Sequence, residues 1–111
     1  MTDFPETEDY MEGRVWVRWI SPNEAVVGLT DLALEEIGTV QAVRPIGLDE
    51  YFSEDDLWFE VIGSGCNLEV LADRSGKVTD VNNLVKDEPE MVKDDPLGEG
   101  WIIRFESVEE E

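Results

Sequence analysis

The chain has no histidine, a single cysteine, and only 8 lysines and arginines among 111 residues. Without histidine, the usual general base near neutral pH and the commonest metal ligand are both missing. The lone Cys66 excludes an internal disulfide and agrees with a reducing compartment. Basic residues are too sparse to form the stripe that neutralises phosphates, so nucleic acid and anionic membranes are not expected partners. No run reaches the roughly 18 apolar residues needed to span a bilayer. The start, Met1-Thr2-Asp3-Phe4-Pro5-Glu6, is acidic where a secretory signal needs positive charge and then an apolar stretch. The expected location is therefore cytoplasmic. Lysine is absent until Lys77, so no segment before it offers a side-chain amine.

What the chain does have is acid. Its 28 aspartates and glutamates give a net charge of -20. That field repels itself, and it suits a protein partner with a basic surface. It is equally what a solubility adaptation or a salt-rich cytoplasm would produce. A hydrophobic content of 41% with four tryptophans argues for a packed globule rather than an acidic disordered tail. The length fits one domain over 1–111, with 1–13 and 107–111 expected to fray.

Local patterns predict short strands. Val15-Trp16-Val17-Arg18-Trp19-Ile20 and Ala25-Val26-Val27-Gly28-Leu29 flank the turn residues Ser21-Pro22-Asn23-Glu24, as in a hairpin. A short helix comes next, with Thr30 as N-cap, Asp31 in the first turn and Gly38 as the closing residue. Ala33 and Ile37 share one face of it, directed at the sheet. Further strands are expected at 39–43, 57–62, 68–71, 77–81 and 101–105, and a second short helix around Pro89–Lys93. Many short strands without β-α-β alternation indicate a mainly-β sandwich or flattened barrel with two short flanking helices.

No element of this pattern announces catalysis. The clusters Glu54-Asp55-Asp56, Asp87-Glu88 and Asp94-Asp95 lack the alternating spacing of a calcium loop, and no metal site is expected. Gly63-Ser64-Gly65 has no following lysine or helix, so it is turn geometry rather than a phosphate cradle. Trp16 and Trp19 have odd spacing, which predicts opposite strand faces and one exposed ring able to anchor a partner. No catalytic residues are assigned, and the chain is not expected to be an enzyme.

A family resemblance rests on specific segments. Tyr10 with Trp16-Val17, then Val27-Gly28-Leu29-Thr30-Asp31-Leu32-Ala33 with Glu36-Ile37-Gly38, and above all Asp94-Asp95-Pro96-Leu97-Gly98-Glu99-Gly100-Trp101, resemble the H protein of the glycine cleavage system. The likeness covers roughly residues 10–107. It implies the lipoyl-domain fold, and a carrier that holds lipoate on a lysine at the tip of a β-hairpin. Counted back without gaps from Ser75-Gly76, that lysine position falls on Gly65, and the family's Glu-Ser-Val-Lys-Ala is here Ile62-Gly63-Ser64-Gly65-Cys66. Arg14-Val15 likewise stands where the family has His-Glu.

The candidate tip is therefore Gly63, Ser64, Gly65, Cys66 and Asn67, with Gly65 at the lysine-equivalent position and no lipoyl cofactor expected. A non-lipoylated, H-protein-like binding or regulatory module is the leading expectation. A thiol or sulfur carrier built on Cys66 is the alternative, weakened because its sequence neighbours Glu60 and Glu69 are acids whereas a reactive thiolate wants cations. A genuine lipoyl carrier, with its site elsewhere than Gly65, is the third.

Overall fold

The computed structural model of the chain describes residues 6–96 and 98–108, the side chain of Glu6 excepted. Among these residues nine strands form two antiparallel sheets. In the larger, β1 (Glu6–Tyr10), β2 (Val15–Trp19), β3 (Glu24–Leu29), β9 (Ile103–Ser107), β8 (Gly76–Val81) and β5 (Tyr51–Phe52) lie side by side in that order. In the smaller, the order is β4 (Val40–Pro45), β6 (Leu57–Gly63) and β7 (Asn67–Leu71). The sheets face each other as a flattened sandwich with three short helices: α1 (Asp31–Ile37), α2 (Asn83–Asp87) and α3 (Met91–Asp94).

Alternation builds the core between the sheets. Val17, Val27, Val78, Ile103 and Phe105 come from the larger sheet, and Val43, Phe59, Val61 and Val70 from the smaller; all are buried. Trp58 and Phe105 meet across the gap with ring centroids 5.2 Å apart. Phe52 stands edge-on to both, at 5.7 Å and 5.6 Å. Such edge-to-face pairs add to the area the rings bury. The Trp58 Nε1 has no acceptor among the described residues.

Most local expectations hold. The β2–β3 hairpin closes over Ser21–Glu24, where Ile20 N–H donates to the Glu24 carbonyl at 2.9 Å. Thr30 caps α1 by accepting from Ala33 N–H at 3.4 Å, and Gly38 ends the helix at φ +81° with its N–H donating to the Leu34 carbonyl. Ala33 and Ile37 are buried as their spacing required.

Three expectations are corrected. The segment 1–13 does not fray throughout: Glu6–Tyr10 is β1, paired in register with β2 from Glu6 opposite Trp19 to Tyr10 opposite Val15. Glu8 and Asp9 are exposed, while the strand's backbone completes the edge of β2. At the other end, Ser107 pairs with Gly76 and Val108 N–H donates to the Ser75 carbonyl at 3.1 Å, so those residues are also tied down. Residues 1–5 and 109–111 lie outside the described part. The second helical region is two helices, α2 and α3. The first of them is started by Asn82, whose side chain accepts from Leu84 N–H at 3.1 Å.

The tryptophans are the third correction. Trp16 and Trp19 do lie on one strand, yet neither ring is exposed; relative exposures are 1% and 9%. Strand β2 is covered on both faces. Arg18 lies over the Trp16 ring at 4.9 Å, and the Trp16 Nε1–H donates to the Pro96 carbonyl at 3.0 Å. Arg74 covers Trp19 at 4.7 Å, and the Trp19 Nε1–H donates to Glu8 at 3.1 Å. Trp101 is half-buried and lines an open cavity of about 240 Å³ with Trp16, Val26 and Arg104.

Candidate functional site

Strands β6 and β7 pair from Leu57 opposite Leu71 to Ile62 opposite Asn67. The intervening Gly63-Ser64-Gly65-Cys66 turn closes when Gly63 N–H donates to the Cys66 carbonyl at 3.1 Å. The structure thus brings the candidate tip residues Gly63, Ser64, Gly65, Cys66 and Asn67 together at one end of a hairpin.

The hairpin end does not stand free. It is laced to the C-terminal end of α1 and the residues just beyond. Gly65 N–H donates to the Ile37 carbonyl at 2.8 Å, and Ser64 N–H to the Thr39 carbonyl at 2.9 Å. The Ser64 hydroxyl accepts from Thr39 N–H at 3.0 Å, and the Cys66 thiol lies 3.3 Å from the Glu36 carbonyl, to which it donates. A helix leaves its last carbonyls without intrahelical partners. Here the hairpin supplies donors to two of them.

This closeness depends on missing side chains. A Cβ built on Gly65 would stand 2.9 Å from the Glu36 carbonyl oxygen and 3.1 Å from that of Ile37. On Gly38, whose φ is +81°, a Cβ would meet the Ser64 hydroxyl at 2.7 Å. The backbones of tip and helix end therefore touch where any side chain would part them.

Arg14 reaches the same place from the other side. Its guanidinium holds the Glu36 carboxylate by two bonds, Nε to Oε1 at 2.6 Å and Nη2 to Oε2 at 2.9 Å, and also meets Glu12 at 3.1 Å. Hydrogen bonding from Arg14 holds the Glu36 carboxyl below the usual glutamate range, and the two carboxylates raise the Arg14 guanidinium further. The sequence marks Arg14 only as a departure from the family pattern and Glu36 only as part of the Glu36-Ile37-Gly38 match, with no role of its own. No local signal marks that residue, because its partners lie 22 and 30 positions away.

A lipoyl group does not fit Gly65. Amide linkage needs a side-chain amine, and the space a side chain would enter is taken by the Glu36 and Ile37 carbonyls. The lysines lie elsewhere: Lys77 on β8 is near Asp49 and the ring of Tyr51, and Lys86 and Lys93 belong to α2 and α3. Cys66 is exposed, and Arg14, the cation that reaches the same Glu36, is already engaged by two carboxylates.

Among the described residues there is no group of three or more histidine, cysteine or acidic residues placed to hold a metal. The acids act instead as turn builders: Asp56 accepts from Ser53 N–H at 2.8 Å, and Asp95 from Glu99 N–H at 3.1 Å. No helix among the described residues is long and apolar enough to cross a membrane.

Comparison with known proteins agrees with the architecture. The family model described as glycine cleavage H-protein matches residues 8–111. The glycine cleavage system H protein of Herpetosiphon aurantiacus is 37% identical over 105 residues, covering 95% of this chain and 81% of the relative. A probable glycine cleavage system H protein of Haloarcula marismortui is 38% identical over 106 residues, covering 94% and 81%. Among solved structures, that of a glycine cleavage system H protein from Mycobacterium marinum superposes with a TM-score of 0.82 at 23% identity, over 96% of this chain and 88% of that one. At that identity the match speaks for the fold.

Proposed function

We propose, for a chain that belongs to the glycine cleavage H-protein family, that it works without lipoate, as a cytoplasmic binding or regulatory module built on the carrier's scaffold. The observation that carries the reading is the contact at Gly65. The position equated with the family's lysine offers no amine, and its Cα sits against the end of α1 too tightly for a side chain. A carrier arm needs a tether that swings free of the domain, and this tip is fastened by backbone bonds to Ile37 and Thr39. What remains is a shaped, strongly acidic surface suited to recognition, with no group assigned to catalysis.

Co-expression with a lipoate ligase in the presence of lipoate, with intact-mass measurement of the product, tests this directly. The expected mass is that of the bare chain. An increment of one lipoyl group on Lys77, Lys86 or Lys93 would overturn the reading.

The partner, in this reading, is a protein with a basic surface. A field of this sign raises encounter rates and selects the partner's charge more than it adds affinity. Trp101, the one half-buried tryptophan, is the natural apolar anchor. Association measured from low to moderate salt should slow markedly while dissociation changes little. A flat association rate would leave the acidity to solubility alone.

A further inference from the structure

Two departures from the family pattern, Arg14 and the Gly63–Cys66 turn, converge on one residue. Arg14 grips the carboxylate of Glu36, and Cys66 donates to its carbonyl. The connection continues past Glu36 to the other end of α1. Arg14 comes just after a tight turn in which Met11 and Glu12 take φ +54° and +61°, and its N–H donates to the Met11 carbonyl at 3.2 Å. The Thr30 N–H donates to the Arg14 carbonyl at 3.1 Å, and the Thr30 hydroxyl to the Gly13 carbonyl at 2.6 Å. Residues 13–14 therefore hold the seven-residue helix at both ends, and its far end holds the hairpin.

The bonds from the tip are short, but almost all lie at exposed residues, where water competes for each. Bonds of that kind keep a loop in place only if the element behind it is fixed. Helix α1 is anchored inward by Ala33, Leu34 and Ile37. Its final turn, which carries the Glu36 and Ile37 carbonyls, has no basic residue and is tied from outside by the Arg14 fork. A bidentate guanidinium fixes orientation in a way that a lysine at the same place cannot.

We propose that the Arg14–Glu36 pair is the positioning element of a latch that holds the Gly63–Cys66 turn shut against the end of α1. Breaking the pair loosens the tip and leaves the sandwich intact. The latch does not depend on whether the chain carries lipoate, since it concerns only how the hairpin end is held.

Amide hydrogen exchange, read residue by residue, tests the latch. In Arg14→Ala, exchange at Ser64 and Gly65 should quicken by roughly tenfold, with Val27 and Val61 unchanged, as expected for a local opening. Arg14→Lys keeps the charge without the fork and should fall between wild type and the alanine variant. Glu36→Ala should reproduce the effect of Arg14→Ala, and the double variant should add nothing further. Unchanged exchange at Gly65 in both single variants would overturn the proposal. So would an increase at Val27 and Val61 equal to that at the tip, because the pair would then be supporting the whole fold.

Discussion

At the scale of single residues, the contact between Gly38 and Ser64 separates two effects that are often merged. Gly38 combines φ +81° with ψ -137°, a region open essentially to glycine alone, which costs an L-residue about 1–3 kcal/mol. It also lies where a Cβ would press on the Ser64 hydroxyl at 2.7 Å. Gly38→Ala should lower stability by about 2–6 kcal/mol in urea unfolding, the sum of strain and crowding. Adding Ser64→Ala removes the obstructing oxygen and should return the crowding part, leaving the backbone cost. Strictly additive losses would mean that the hairpin moves aside without penalty and that the contact is slack. Gly65 has no comparable relief. Its Cβ would meet backbone carbonyls, which no second side-chain substitution can remove.

At the scale of elements, Asn82 shows one side chain joining two segments. Its Oδ1 caps α2, and its amide nitrogen donates to the carbonyls of Glu99 and Trp101, each at 2.7 Å. The residue is only 8% exposed, so the donors have no water to turn to. Asn82→Ala should cost about 2–4 kcal/mol, combining a lost cap with two abandoned carbonyls. Asn82→Asp is the sharper test. Aspartate is as good a cap, but its carboxylate would face two carbonyl oxygens instead of donating to them. It should be at least as damaging as alanine in a denaturant series; a neutral outcome would reduce Asn82 to a cap alone. The same scale explains which parts of the fold are legible in the sequence. The β2–β3 hairpin, α1 with both caps, and the β6–β7 hairpin are encoded by residues next to one another, and each can be read there. Strand β1 cannot, since Glu6-Thr7-Glu8-Asp9-Tyr10 has no apolar alternation and becomes a strand by pairing with β2. The cover over Trp16 is hidden too, because Pro96 lies 80 residues away. At the tip, the missing amine is plain from Gly65, but the fastening to Glu36, Ile37 and Thr39 rests on contacts that no local pattern reports.

For the whole molecule the decisive quantity is charge against size. The radius of gyration is 13.2 Å, and the net charge is -20. At 0.01 M salt the screening length is about 30 Å, so every carboxylate acts on every other; at 0.15 M it is about 8 Å, shorter than the molecule. Six ion pairs occur among the described residues, all with partly or well exposed side chains; whatever the two-bond Arg14–Glu36 fork does locally, together they offset little of a repulsion summed over every carboxylate. Sodium chloride added over this range should raise Tm by roughly 5 °C, equivalent to about 1 kcal/mol for a domain of this length. A Tm indifferent to salt would show that the acids are spaced so that the folded chain repels itself no more than the unfolded one.

The position of β9 has a consequence for how the chain is born. In the six-strand order it lies between β3 and β8, pairing with both, yet it follows both in the chain and is made after them. Until Ile103–Ser107 has left the ribosome, β1, β2 and β3 can form a meander, but β3 ends in an open edge carrying Ala25 and Val27. Strand β8 has an open edge as well. Unpaired apolar edges invite pairing with another chain. Contacts closed this late also slow folding, because a long loop must be ordered before they form. The larger sheet therefore remains incomplete until β9 slides between two waiting strands. The chain's abundant negative charge, whatever else it does, keeps neighbouring copies apart during that interval.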